Sequence, residues 1–295
     1  MSLRRILQVA RFEWFDALRS RRATVVLVLY LAASLISMNG AISVLGKMES
    51  QLAEMLQLPA DDSRGAVSAT LWKSTRFQKT VRSVLGDSLV YDDICGRHPA
   101  ELLYAWFAFF YVPLLTMLVA GNRAADELHS GSVRYMITRV TRIEWSLGKY
   151  IGISGLLLAG LTVGSAAAWC VAACRLSGAD IPALFPAMMV WGVKAWLYSF
   201  AWLGLALGIS HLVQSGAKAT ALGIAAMVVW FAAPPLLEHF AGDWPALRLV
   251  FPGGVEDALW RSSLEPVASA ALWLAALGLM YLSAGVAVFV RRDAR

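Results

Sequence analysis

The chain lacks the groups that hydrolytic and metal-dependent enzymes need. No HExxH, GxSxG or paired-cysteine site occurs in its 295 residues, and His98, His129, His211 and His239 lie far apart in sequence. There is no P-loop. Gly46-Lys47-Met48 and Gly148-Lys149-Tyr150 lack both the upstream glycine spacing and the hydroxyl residue after lysine, so this chain is not expected to hydrolyse ATP. The long apolar segments carry no internal Asp or Glu, which argues against a diacid intramembrane protease. The three cysteines form no metal pattern. Cys170 and Cys174, one helical turn apart in an apolar stretch, read as small core hydrophobes. Cys95 and Cys174 both fall near the outer face in the topology below, which leaves a disulfide open between them in an oxidising compartment. No long basic run and no RNA- or DNA-binding motif is present, so the net charge of +6 does not point to nucleic acid. No catalytic residue, metal ligand or cofactor-binding residue is assigned.

Apolar residues are what the chain has in excess. Hydrophobic residues make up 58% and mean hydropathy is +0.60, whereas soluble domains have about 45–50% apolar residues. A helical span needs about 20 apolar residues to cross roughly 30 Å of hydrocarbon. Such stretches lie at about 23–45, 101–121, 150–174, 185–209, 217–237 and 266–290. The expected fold is an all-α integral membrane protein with six spans. Gly160-x-x-x-Gly164 and Gly204-x-x-x-Gly208 supply small-residue pairs that let helices approach closely in lipid.

Residues 1–22 precede the first span. Leu3, Ile6, Leu7, Ala10, Trp14, Ala17 and Leu18 fall on one arc of a helix over 3–19, with Arg4, Arg5, Arg11 and Arg19 on the other side. That pattern suits a helix lying in the membrane interface. Residues 46–100 form a helical insertion between the first two spans, too short for a solid core of its own, so it is expected to lean on the spans or on a partner. Residues 238–265 contain Trp244, Leu247, Leu249, Val250 and Phe251, too apolar for a free loop.

The positive-inside rule sets the orientation. Arg4, Arg5, Arg11, Arg19, Arg21 and Arg22 lie on one side with Arg123, Arg134, Arg139, Arg142, Lys149, Lys218, Arg291, Arg292 and Arg295. The short loops of the opposite side carry only Arg175, Arg248 and Arg261. Both termini and the 122–149 segment are thus expected in the cytosol, and 46–100 and 238–265 outside.

The 122–149 segment organises the rest. Asp126 and Glu127 come first, then a break at Ser130-Gly131-Ser132. Val133, Met136, Ile137 and Val140 follow at helical spacing, and Thr141-Arg-Ile-Glu144 has capping-box spacing. This predicts helix, glycine break, short helix, cap, helix: a folded bracket between two spans. Inside a span, Lys194 is the exceptional charge. It reads either as a group on a substrate path or as a lysine snorkelling to the outer face.

Glu127, Gly131-Ser132, Thr141-Arg142 and Lys149 together resemble the first cytosolic loop of ABC-2 type permeases, and the amphipathic start resembles that family's elbow helix. The resemblance implies the permease subunit of an ATP-binding-cassette transporter, most often an exporter, in the bacterial cytoplasmic (inner) membrane. It implies two permease chains, identical or not, and two partner ATPases that bind ATP and Mg. It implies a coupling helix in the bracket that docks on the ATPase, with Arg123, Asp126, Glu127, His129, Ser130, Gly131, Ser132 and Arg134 as the contact. It also implies short helices in 238–265 that dip into the outer leaflet. The alternative reading is a non-transporting membrane scaffold that holds an extracytoplasmic partner through 46–100.

Overall fold

The computed structural model describes residues 2–55, 93–94, 97–176, 180–241 and 248–292. Most of the 46–100 insertion therefore lies outside the described residues, as does Cys95 and with it the possible Cys95–Cys174 bridge.

Among the described residues every regular element is helical: α1 (Leu3–Arg19), α2 (Arg21–Met55), α3 (Pro99–Ala120), α4 (Arg123–Ser130), α5 (Val133–Ile137), α6 (Arg142–Arg175), α7 (Ile181–Leu212), α8 (Gly216–Ala241), α9 (Glu256–Trp260) and α10 (Leu264–Arg292), with a 3-10 turn at Pro252–Val255. Six of them, α2, α3, α6, α7, α8 and α10, are long and apolar enough to cross a membrane. The starts of the spans follow from local chemistry. His98 accepts the Ala100 N–H on Nδ1 at 3.2 Å, Pro99 fills a first-turn position that needs no donor, and Asp180 Oδ1 accepts the Ala183 N–H at 3.3 Å. Burial holds the His98 ring below its usual pKa, which matches a neutral ring whose Nδ1 accepts.

α7 is the centre of the bundle. Its most apolar window is 72% buried, against 22% for α8 at the periphery. Helices in lipid gain no hydrophobic energy from meeting each other, so they rely on close approach and on interhelical hydrogen bonds. Both glycine pairs serve that end. A side-chain carbon on Gly204 would collide with the Gly278 backbone of α10, and one on Gly208 would lie 2.6 Å from the Tyr281 carbonyl. Gly160 and Gly164 of α6 instead make room for side chains of α2, Leu27 and the Tyr30 ring. Hydrogen bonds add to this: Tyr104 OH with Ser165 Oγ at 2.6 Å, Ser37 Oγ with Tyr111 OH at 2.9 Å, and the Trp196 indole N–H to the Ser154 carbonyl at 2.9 Å.

The apolar arc of α1 divides into two stripes. Ile6, Val9, Ala10 and Ala17 are buried against the bundle, while Leu3, Leu7, Trp14 and Leu18 are exposed. Gly148 and Gly152 admit the buried stripe: a side-chain carbon there would lie 2.5 Å from Val9 Cβ and 2.7 Å from the Ala10 carbonyl. The two cysteines of α6 correct their sequence reading. Cys170 and Cys174 lie on the exposed side of that helix rather than in the core.

The segment before α10 folds back along it. Trp273 donates its indole N–H to the Leu249 carbonyl at 2.9 Å, and Tyr281, past the middle of α10, donates its hydroxyl to the Val250 carbonyl at 2.5 Å. The turn at Leu249–Phe251 is thereby pinned beside the body of α10 and not beyond its end.

Gly204→Leu should lower the melting temperature of the purified protein by several degrees, as overpacking costs about 1–3 kcal/mol or more where backbones touch. Gly40→Ala, with open space around its Cα, should leave it unchanged or raise it slightly.

Candidate functional site

The bracket folds as its residues predict. Gly131 ends α4 at φ 73, a left-handed conformation that glycine adopts without penalty. The Ser130 and Ser132 hydroxyls donate to the Glu127 carbonyl at 3.2 and 3.3 Å, satisfying an orphan acceptor at the helix end. The short helix α5 follows. The capping box then closes: the Thr141 hydroxyl accepts the Glu144 N–H at 3.2 Å, and the Glu144 carboxylate accepts the Thr141 N–H at 3.0 Å. α6 therefore starts eight residues before the expected span, and Lys149 lies inside it.

The start of α4 is held from another element. Asn122 makes no side-chain cap, and the Ser210 hydroxyl of α7 instead accepts the Ala124 and Ala125 N–H groups at 3.2 and 3.0 Å. The bracket is thus fastened to the central helix before any charge is considered.

The charges fasten it to α1. Lys149 is 1% exposed, and its ammonium donates to Glu13 Oε2 at 2.7 Å and to Glu127 Oε1 at 2.5 Å. One cation on α6 so joins a carboxylate on α1 to a carboxylate on α4. The other oxygen of Glu127 accepts the Trp145 indole N–H at 3.2 Å, and the Lys149 ammonium lies 5.2 Å from the Trp145 ring centre. Arg123 extends the cluster to Asp16 at 2.8 Å and Glu13 at 3.7 Å. Asp126 accepts from Asn122 at 2.5 Å and pairs with Arg22 at 4.0 Å. Behind it, Trp145 packs on His211 and Phe289, and Ser146 hydrogen-bonds His211 Nε2 at 2.9 Å.

The sequence-predicted contact residues divide accordingly. His129 and Ser130 are exposed and Gly131 and Ser132 half-buried at the tip. Arg123 and Glu127 turn inward to α1 and α6, and Asp126 is half engaged. The side chain of Arg134 lies outside the described residues. The tip also exposes Tyr135, at 81%, and Arg139, neither of which stood among the predicted contacts. Sequence reasoning missed Glu13, Asp16, Trp145, Ser210 and His211. Glu13 had a signal: it shares the helical arc of Ile6, Val9, Ala10 and Ala17, where an acid needs a buried cation.

Lys194 lies at the opposite end of the bundle. It is 7% exposed, donates to the Arg261 carbonyl at 2.8 Å and lies 4.3 Å from the Trp191 ring centre. Trp191 donates to Glu101 at 2.7 Å, which pairs with Arg97 at 2.7 Å. Nearby, Ser262 hydrogen-bonds Asp93 and holds its carboxyl below the usual range. Lys194 thus caps the carbonyl that follows α9 and ties the returning segment to α7.

These features define a multi-pass helical membrane protein with a folded, charge-fastened bracket at one end. The profile described as ABC-2 family transporter protein matches residues 7–293, and the chain belongs to that family. A search of curated proteins returned no match. Membership makes the chain a membrane transport subunit, a permease, and implies in general an ATP-binding-cassette ATPase as partner. It gives no support to the scaffold reading.

Removing one partner of a buried ion pair costs about 3–5 kcal/mol because a charge is left uncompensated. Lys149→Met should destabilise the purified protein by about that amount, and adding Glu13→Gln and Glu127→Gln should return most of it. Denaturant or thermal unfolding in detergent checks this. A Lys149→Met protein as stable as wild type would remove the cluster's structural role.

Proposed function

We propose that this permease couples ATP hydrolysis by a separate ATPase to the export of a substrate across the bacterial cytoplasmic membrane. The bracket end, with both termini, faces the cytosol. α1 lies in the inner interface as an elbow helix, with Leu3, Leu7, Trp14 and Leu18 toward lipid and its other stripe against α6. Two permease chains and two ATPases make the working assembly, and ATP and Mg bind on the ATPases. The 46–100 insertion lies on the outer side.

The observation that carries the reading is the Lys149 cluster. A loop that only reversed the chain would need no buried cation joining it to two other helices. A loop that receives force does, because docking energy moves the spans only if the docked element is fixed to them. In this reading α4 and α5 form the docking element, and its exposed tip, from His129 through Tyr135 to Arg139, meets the ATPase. Glu127 and Arg123 act one step back, holding the tip to α1 and α6. Aromatic and arginine side chains dominate such contacts, which makes Tyr135 and Arg139 the anchors.

Deleting 128–134 should abolish recovery of the ATPase with tagged permease. Tyr135→Ala should keep the melting temperature and weaken ATPase binding by about 30-fold, the loss expected of a contact worth about 2 kcal/mol. Full ATPase recovery and undiminished transport by both variants would sink the docking assignment.

A further inference from the structure

A groove of about 530 Å³ runs between the bracket-side ends of α6 and α10. Its walls are Ile143 and Leu147 on α6 and Ala287 on α10, its floor is the buried Leu282 and Val286, and Arg291 stands at its mouth. The groove follows from packing. Gly278 and Gly285 draw α10 onto α7, and α10 turns the small side chains of Ser283 and Ala287 toward α6, too short to close the gap. No acidic residue lines it among the described residues. Beside the mouth, Arg142 lies 4.9 Å from the Phe289 ring centre and reaches the Val290 carbonyl at 3.5 Å, adding a second positive charge.

We propose that this groove binds one anionic membrane phospholipid, with an acyl chain against Leu147, Leu282 and Val286 and the phosphate at Arg291 and Arg142. The chemistry selects that occupant. The slot lies between two helices apolar enough to span a membrane, so a hydrocarbon chain fills it where water gains no hydrogen bonds. The paired guanidiniums at the headgroup end favour negative charge. The reading of the bracket end as cytosolic decides only which leaflet supplies the lipid. The groove also lies behind the Lys149 cluster, because Ser146 lines it and hydrogen-bonds His211, which packs on Trp145.

The test is native mass spectrometry of the purified full chain, delipidated and titrated with phosphatidylglycerol or with phosphatidylcholine of the same acyl chains. Wild type should retain one phosphatidylglycerol at least about tenfold more strongly, since each arginine contributes about fivefold. Arg291→Gln should cut that preference by about fivefold, with phosphatidylcholine, whose phosphate is offset by its own choline cation, losing less than phosphatidylglycerol. Ala287→Trp and Ser283→Phe fill the slot from successive turns of α10, so a folding defect in one leaves the other decisive. Each should displace the lipid, while Val228→Trp on the exposed face of α8 should not. Equal retention of the two lipids by wild type would overturn the proposal. So would phosphatidylglycerol kept by both slot-filling variants. A change of oligomeric state in those variants, with lipid binding unaltered, would overturn it in favour of a second protein chain in the groove.

Discussion

An ammonium taken out of water must find carboxylates, and Lys149 finds one on each of two other helices. Burial leaves it no alternative, since an unpaired charge at that depth costs several kcal/mol. The bond to Glu13 fixes α1 against α6, and the bond to Glu127 fixes the bracket against both. Replacing these charges with apolar groups of equal volume need not weaken the fold, because buried ion pairs contribute little net stability. What the pairs add is specificity of position: the cluster forms only when the three helices are in register.

Everything around the cluster is arranged to bring those helices close. Gly148 and Gly152 flank Lys149 on α6, and with a side chain at either position α1 would stand off and Glu13 would fall short. Ser210 of α7 receives the first amides of α4 and so sets the height of Glu127. Trp145 orients the Glu127 carboxylate and is itself backed by His211 and Phe289 of the central and last spans. Each contact is modest. Together they make the bracket a continuation of the bundle, which is what a permease needs if its partner's motion is to reach the spans.

Much of this was legible in the sequence, because it rests on local rules. Hydropathy located the six spans. The Thr141–Glu144 box, the Gly131 break and the amphipathic start each depend on residues a few positions apart, and each appears where its pattern put it. The two glycine pairs were visible as motifs, but their partners, α2 for one and α10 for the other, were not. What could not be read was the direction of charged side chains. Arg123 and Glu127 look like surface charges in a polar loop, but Arg123 turns inward to Asp16, more than 100 residues away in the chain, and Glu127 turns inward to Trp145 and Lys149 on the next long helix. Lys194 posed a related problem. A lysine in an apolar run reads as a group on a substrate path or as one snorkelling outward, and its bond to the Arg261 carbonyl of a distant segment could not be read from either. The cysteines of α6 failed for a related reason: an apolar span has a lipid-facing side as well as a core side, and its composition alone does not separate them.

The claim that the cluster makes α1 and the bracket one body is tested most directly by a distance. Spin labels at Leu7 and Ser130, both exposed, report the separation of α1 and bracket tip by pulsed electron resonance, with the proposed partner ATPase in its ATP-free and ATP-bound states. A single narrow distance, unchanged by ATP and broadened by Lys149→Met, is the predicted result. A distance that shifts on ATP binding in the wild type, or that stays narrow without the lysine, would mean that the bracket moves on its own and that the buried charges do not carry the coupling.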